Sequence, residues 1–579
     1  MTNDRNRLKA TIRADVPGAP ASPAEAMVRI RMALQRAEHE TARQIAEAAR
    51  RSHPQDAALA DAAGDLALKA GDGAAAAEHF NDAVNLAPAV LDYALNYAIA
   101  LQRLDRHREV IAVLAPRERQ GRAVPRYASI RAMSHRALRE VAQAARWYDA
   151  VLALEPRHPR GLHGRARVAL ERGENDAPAR FDRALAVNPG DADLWLGKAQ
   201  ALEVAGDLNG ARMIAEQLAE KAPGYIAGLS FLAGLKLAAG EGDFTSPFVA
   251  AARKAPQDPN IAAKHVETLA GLDYAAEAAA VAAEARKRFP GEPHFALLEA
   301  VHAGSAGDWE RAEALFVSLD TDTANRALHE ARHAIRAGQL GRAEELLERA
   351  LAEDPWDVTA WAHRGILWRL ANDPRARWLH EQEGLIQMCP LAGREGLLSD
   401  CIDALRSLHE GSALPLGQSL RGGTQTRGTL FDRTEPILAE LADAIRTALD
   451  LYRSGLPPAD PRHPMLRHRD TPWALEGSWS VRLTGGSDHH AAHIHIQGLI
   501  SSALYLIVPE EAAGPQREGW LEIGRPKGDL GLDLPPIRAI EPVAGQLALF
   551  PSTAYHGTTP FRSAERMTVA FDAIAAEQD

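Results

Sequence analysis

Residues 59–88 read LADAAGDLALKAGDGAAAAEHFNDAVNLAP, and they set the architecture of most of the chain. Two apolar helical stretches flank Gly71-Asp72-Gly73, a turn built from residues that tolerate left-handed backbone. Ala76, Phe80 and Ala83 recur at four and three residues, one face of the second helix. Gly64 sits where two helices can cross closely. Pro88 stops the second helix, because proline lacks an amide donor and restricts the residue before it. The same offsets return as Ala177, Phe181 and Ala184 before Pro189, and as Ala343, Leu347 and Ala350 before Pro355. Ala144 and Tyr148 stand likewise before Pro156.

Outward from this stretch the prolines keep a period. Pro54 and Pro88 are 34 residues apart, and Pro156 follows 68 later. Pro189, Pro223, Pro256 and Pro290 come at steps of 33, 34, 33 and 34; Pro355 lies 65 further on, and Pro390 closes the series. A sustained step of 33–35 residues predicts a helical solenoid. The small–large–small spacing ahead of a proline resembles the tetratricopeptide repeat, and Trp195 and Trp361 fall near that family's first-helix aromatic position. The spacing predicts about ten units between residues 25 and 390, with the side-chain pattern fading from about 225 to 330. A single helical pair cannot bury its own apolar face, so units must stack, and stacking generates a concave surface. That surface is expected to take a protein or peptide partner, or to serve as a scaffold or dimerisation arm.

Composition narrows the function classes. The 579 residues carry 66 Lys and Arg against 77 Asp and Glu, a net charge of −11, so no broad basic field offers itself to nucleic acid. Apolar residues at 46% and charged residues at 25% give an ordinary globular balance. Two cysteines, Cys389 and Cys401, exclude a disulfide framework and a zinc site of three or four thiolates, and they fit a reducing cytoplasm. Met1 to Ala14 alternates charges without an apolar core, so no signal peptide is expected. The uncharged stretch from His489 to Pro509 holds four histidines, a glutamine and two serines, which a membrane span would have to bury. The expected protein is soluble and cytoplasmic, with no membrane partner. The expected domains are a tail over 1–24, the repeat solenoid over 25–390, and a different fold over 391–579.

Beyond Pro390 the period disappears. Helical patterns run through Leu397–His409 and Pro436–Tyr452, on either side of the polar, glycine-rich string Gln418-Ser-Leu-Arg-Gly-Gly-Thr-Gln-Thr426. After Pro457 short strands take over: Ser478–Thr484, Ile500–Val508, Gly519–Gly524, Gly545–Phe550 and Thr568–Asp572. Short strands punctuated by glycine and proline read as a sandwich or barrel. His489, His490, His493 and His495 cluster just before the apolar strand, and His556 follows the strand ending at Phe550. An apolar barrel mouth with convergent imidazoles is a metal-site candidate.

His493-Ile-His495, the strand bearing Tyr505, Gly545-x-Leu-x-x-Phe-Pro-Ser552, His556 and Arg566 together resemble the iron(II)- and 2-oxoglutarate-dependent dioxygenases. More closely, the chain is similar to bacterial oxygenases that carry tetratricopeptide repeats ahead of this domain. The shared strings are Gln418–Thr426, Gly477–Arg482, Gln497-Gly498 with Ile500–Ala503, Phe550–Ser552 and His556–Thr558, over roughly residues 415–579. The resemblance implies a double-stranded β-helix, or jelly roll, holding Fe(II) between two histidines and, in most members, an acid. His493 matches the first histidine and His556 the distal one. Arg566 matches the residue that pairs with the far carboxylate of the cosubstrate 2-oxoglutarate, a task suited to a two-pronged guanidinium. Tyr505 matches a strand tyrosine that helps hold the same carboxylate, or else is a packed barrel aromatic. The departure is at His495, where the family has its acid. His495 is the expected third ligand, with His490 and Asp488 open as alternatives. The implied reaction oxidises 2-oxoglutarate to succinate and hydroxylates a substrate, with no side chain acting as general base. The competing reading is a tetratricopeptide adaptor whose jelly roll is catalytically silent. Asp529–Pro536, between two strands, is expected to form a lid.

Overall fold

A computed structural model describes residues 22–412, 414–416, 419–562 and 565–576. Gln418 of the glycine-rich string and residues 1–21 of the expected tail lie outside these. The chain divides into two compact units, one of residues 1–172 with 176–189, the other of residues 173–175 with 190–579.

The first unit is helical from Pro23–Gln35 to Ala177–Leu185. Its pairs form as the period requires. Asp56 and Asp72 cap the helices Ala57–Lys69 and Gly73–Leu86, their carboxylates accepting from the amides of Leu59 (2.9 Å) and Ala75 (3.0 Å). Ala76, Phe80 and Ala83 are fully or almost fully buried, so the second helix presents that face to the first. Gly64 is needed at the crossing, because a Cβ there would lie 2.7 Å from the Phe80 ring. Gly164 stands against Tyr148 in the same way, with a Cβ position 2.1 Å from the phenol carbon Cζ.

The second unit opens with further helical pairs, from Ala192–Val204 to Arg375–His380. They continue without a break through 225–330, where the side-chain pattern fades: Ile226–Ala238, Ser246–Lys254, Pro259–Ala270, Ala275–Arg288, His294–Ser305 and Trp309–Ser318. Here the proline period was the better guide than the aromatic positions. Gly365 repeats the close crossing, now against His380.

The rest of the second unit is built on antiparallel strands. They are β1 (Gln387–Pro390), β2 (Leu420–Arg421), β3 (Thr424–Gln425), β4 (Trp473–Leu483), β5 (His489–His490), β6 (Ile500–Ile507), β7 (Leu521–Ile523), β8 (Arg538–Ile540), β9 (Gln546–Pro551), β10 (His556–Thr558) and β11 (Arg566–Ala575). The large sheet runs β1-β9-β6-β11-β4-β3, a smaller one β10-β7-β8, and β2 pairs with β5. One face of the large sheet, with Leu504, Leu547, Met567, Val569 and Phe571, packs under the helices Leu397–Glu410 and Pro436–Ser454. Tyr505, Ala548 and Phe550 share a core with Leu521, Ile523 and Ile540 of the smaller sheet. The arrangement is that of a jelly-roll type domain behind a tetratricopeptide-type solenoid.

Two expectations need adjustment. β1 pairs with β9, Gln387 opposite Leu549 and Pro390 opposite Gln546, so residues 387–390 belong to the sheet rather than to the repeats. The segment Asp529–Pro536 is no free lid. Asp529 pairs with Arg332 and Arg336, Leu530 is buried in the core of the last repeats, and Arg369 donates to the carbonyls of Gly524 and Pro535. No described helix is long and apolar enough to cross a membrane.

Candidate metal centre

Two backbone hydrogen bonds create the site. The amide of His493 donates to the carbonyl of His556 and the amide of His556 to that of His493, each at 2.9 Å. This isolated antiparallel bridge sets both imidazoles on one side, ring centroids 4.2 Å apart. His495, two residues on, turns to the same side, 5.0 Å from His493 and 4.9 Å from His556. Gly557 makes the approach possible, since a Cβ there would meet the His490 carbonyl at 2.8 Å and the Ala492 amide at 3.0 Å. Thr558 completes the string: its hydroxyl oxygen accepts from the His490 amide at 2.9 Å.

The rings are oriented from behind. His493 donates from Nδ1 to the Ala491 carbonyl at 2.9 Å, and His556 from Nδ1 to the Ala554 carbonyl at 3.2 Å. His495 meets the Asp572 carboxylate through its own Nδ1. Each Nδ1 is thus turned to an acceptor behind its ring, and the Nε2 atoms face one another. The Nε2 atoms of His493 and His495 lie 3.0 Å apart, and one ligand atom from each of the three histidines falls within 4.8 Å of the others. Burial, with the neighbouring imidazoles, holds His493 down to about 3 and His556 well below the usual histidine range. Imidazoles that burial keeps from charging, as it does His493 and His556, offer converging ring nitrogens to a metal cation.

His490 is adjacent but differently engaged. Its Nδ1 lies 3.3 Å from the Ser419 hydroxyl, which is also 3.2 Å from Nε2 of His493. Asp488 accepts from the Thr484 amide at 3.0 Å and is not part of the triad, and His489 turns its Nδ1 to the Ser487 carbonyl.

The triad opens into a cavity of about 500 Å³ whose walls include Trp479, Ile494, Phe550 and Thr568. Arg566 lines it too, at 3% exposure. No acidic side chain pairs with Arg566 among the described residues, and its Nε is buried without a hydrogen-bond partner. The nearest acid in sequence, Glu565, is committed to Arg406 and Arg482, at 2.7 Å each. The guanidinium carbon stands 5.6 Å from the centroid of the fully buried Tyr505 ring, whose hydroxyl meets no partner in hydrogen-bond geometry. The Tyr505 hydroxyl and the guanidinium act on each other electrostatically, but among the described residues no acid balances the buried cation, so the pair is suited to an anion. The donor set therefore fits both groups that the resemblance implies: a divalent ion on neutral imidazoles, and a carboxylate on the guanidinium.

Asp572 and Ser419 escaped the sequence reading. The signal for Asp572 was present in β11, where Arg566, Thr568, Ala570 and Asp572 alternate and all line the cavity. An acid on the inward face of a barrel strand calls for a partner. Ser419 lies in the shared string Gln418–Thr426, but nothing there singles it out from its neighbours.

Comparison with known families agrees with this division. Residues 477–572 match the family model described as "Putative 2OG-Fe(II) oxygenase", and residues 175–226 and 328–376 match the tetratricopeptide repeat model. No curated protein matches the chain. Among solved structures, a tetratricopeptide repeat protein from Parabacteroides merdae is 17% identical, covering 42% of this chain and 96% of its own, with a TM-score of 0.34. PilF of Pseudomonas aeruginosa is 19% identical, covering 36% and 96%, with a TM-score of 0.32. YrrB, a TPR protein with an unusual peptide-binding site, is 13% identical, covering 32% and 95%, with a TM-score of 0.29.

Proposed function

We propose that the strand-built part of the chain is an Fe(II)- and 2-oxoglutarate-dependent dioxygenase, most simply a hydroxylase, with the repeats recruiting a protein or peptide partner. The observation that carries the reading is the buried, unpaired Arg566 in the same cavity as three convergent imidazoles. A catalytically silent binding domain gains nothing from such a cation, which costs stability until an anion joins it.

His493, His495 and His556 would hold the metal, and Arg566, helped by the Tyr505 hydroxyl, the far carboxylate of 2-oxoglutarate. Iron with this cosubstrate and O2 supplies the oxidant for an unactivated C–H bond, with release of succinate and CO2. The chain's own part is binding and orientation. The carbonyls of Ala491 and Ala554 fix two rings, and Phe550 packs edge-on against His556 at 4.7 Å. No side chain needs to shuttle a proton.

The groove reading is narrowed by the second unit. There the helices Ala192–Val204, Ile226–Ala238, Pro259–Ala270, Ala324–Arg336 and Val358–Leu370 meet the chain's own later segments: Glu203 pairs with Arg427, Leu416 packs near Leu229, Asp273 takes Arg421, and Arg336 and Arg369 hold 524–535. Those positions of the second unit are taken by the chain itself, so a partner of its repeats would dock elsewhere on them.

The test is succinate formation from 2-oxoglutarate by purified full-length protein with and without added Fe(II). Iron-dependent succinate, abolished in His493→Ala and His556→Ala, is the expected result. Metal binding without cosubstrate binding or turnover would leave the silent adaptor as the better reading.

A further inference from the structure

The carboxylate missing from position 495 is present in the site, one hydrogen bond further out. Asp572 on β11 directs Oδ1 at Nδ1 of His495. Its side chain is 18% exposed, and His495 is the only basic group paired with it among the described residues. Trp479 packs against the same imidazole, ring centroids 5.5 Å apart, which limits how far the ring can turn.

Charge explains why this matters. A divalent ion on two neutral histidines and a carboxylate carries a net charge of +1. On three neutral histidines it carries +2, a costlier charge to hold beside buried side chains. A carboxylate against the far nitrogen of one ligand returns the sum to +1. It also fixes that ring with its proton on Nδ1 and makes Nε2 a stronger donor, and loss of such an outer partner typically costs about 10–100-fold in metal affinity.

We propose that Asp572 is the positioning residue of the metal centre, supplying through His495 the negative charge that a ligating acid would supply directly. The inference rests on the reading that the triad binds a divalent ion. It also sets the outcome of His495→Asp. Placing a carboxylate at 495 beside an intact Asp572 faces two like charges across a short gap, so the substitution helps only if Asp572 is neutralised.

The probe is Co(II), titrated anaerobically into the metal-free full-length protein and followed through its visible d–d absorption. Wild type, Asp572→Asn, Asp572→Glu, His495→Asp and the double variant His495→Asp/Asp572→Asn are compared, with the melting temperature of each metal-free protein as a folding control. Asp572→Asn is expected to bind about 10–100-fold more weakly than wild type. Asp572→Glu should recover part of the loss. In the His495→Asp background the sign reverses, and Asp572→Asn strengthens binding. A merely structural Asp572 predicts the same loss in both backgrounds, and that result, or affinities within twofold of wild type, overturns the proposal. Absence of Co(II) binding by wild type overturns the metal-site reading itself.

Discussion

Arg566 has two predicted properties that point in opposite directions. As an anchor it is essential: its loss leaves the buried carboxylate of 2-oxoglutarate unpaired, at about 2–5 kcal/mol, or roughly thirty- to several-thousand-fold in affinity. As a folded-state group it is a burden, because at 3% exposure it has no acid beside it among the described residues. Arg566→Met is therefore expected to abolish tight 2-oxoglutarate binding while the melting temperature of the metal-free protein holds or rises. Anaerobic titration of the Fe(II) protein, read by its charge-transfer band, and a thermal melt check the two halves. Arg566→Lys should recover only part of the binding, since an ammonium lacks the two-pronged fork. A large loss of stability with unchanged binding would make Arg566 a structural residue. At this scale most of the candidate site was legible. His493, His495, His556 and Arg566 are carried by local strings, and period-two alternation places them. Asp572 was not read, because its partner lies 77 residues away and the acid was sought beside the histidines.

Elements were legible where geometry is local. A proline every 33–35 residues and a small residue opposite a large one dictate helix ends and crossings whatever the rest of the repeat does. That is why pairing persists through 225–330 after the aromatic pattern has faded. The segment 529–536 shows the limit, since glycine, proline and charge mark a loop without saying what it meets. Asp529 meets Arg332 and Arg336, one turn apart on the Ala324–Arg336 helix, with side-chain exposures of 18%, 16% and 3%. Arg336 also donates to the Asp529 backbone carbonyl at 2.8 Å. Burial and the neighbouring Arg332 hold the Arg336 guanidinium down to about 10. Asp529→Asn keeps the shape and removes the counter-charge that, among the described residues, the two guanidiniums share, which should cost about 3 kcal/mol in chemical denaturation of the full chain. A loss below about 1 kcal/mol would mean that the trio behaves as an exposed pair does.

At the scale of the molecule the decisive contacts join residues 150 to 200 positions apart, and no periodicity announces them. Arg336 and Asp529 are separated by 193 residues, Arg369 and Gly524 by 155, His380 and Thr553 by 173. They convert an expected boundary between a free-standing arm and a separate domain into a shared core. Leu530 and Tyr555 are buried with Ala331, Trp361, Ile366 and Leu379 of the last repeats. Trp378 donates to Asp460 at 2.9 Å and packs edge-on to His463, which donates to the Leu379 carbonyl at 3.0 Å. Cutting the chain before β1 would therefore strip one side of the last repeats and leave their inner face wet. We expect a fragment of residues 1–386 to keep a helical circular dichroism spectrum, bind a hydrophobic dye, self-associate, and unfold over a broader range and at lower temperature than the full chain. A fragment of residues 1–189 is expected to unfold cooperatively without binding dye, because its helices bury Phe80, Tyr127, Tyr148 and Leu101 in a core of their own. The contrast between the two fragments is the measurement: dye binding confined to the longer one assigns the exposed surface to the repeats that hold the strand-built part. Equal, dye-free, cooperative unfolding of both would show that those repeats stand without it, and the shared core would then contribute little to their stability.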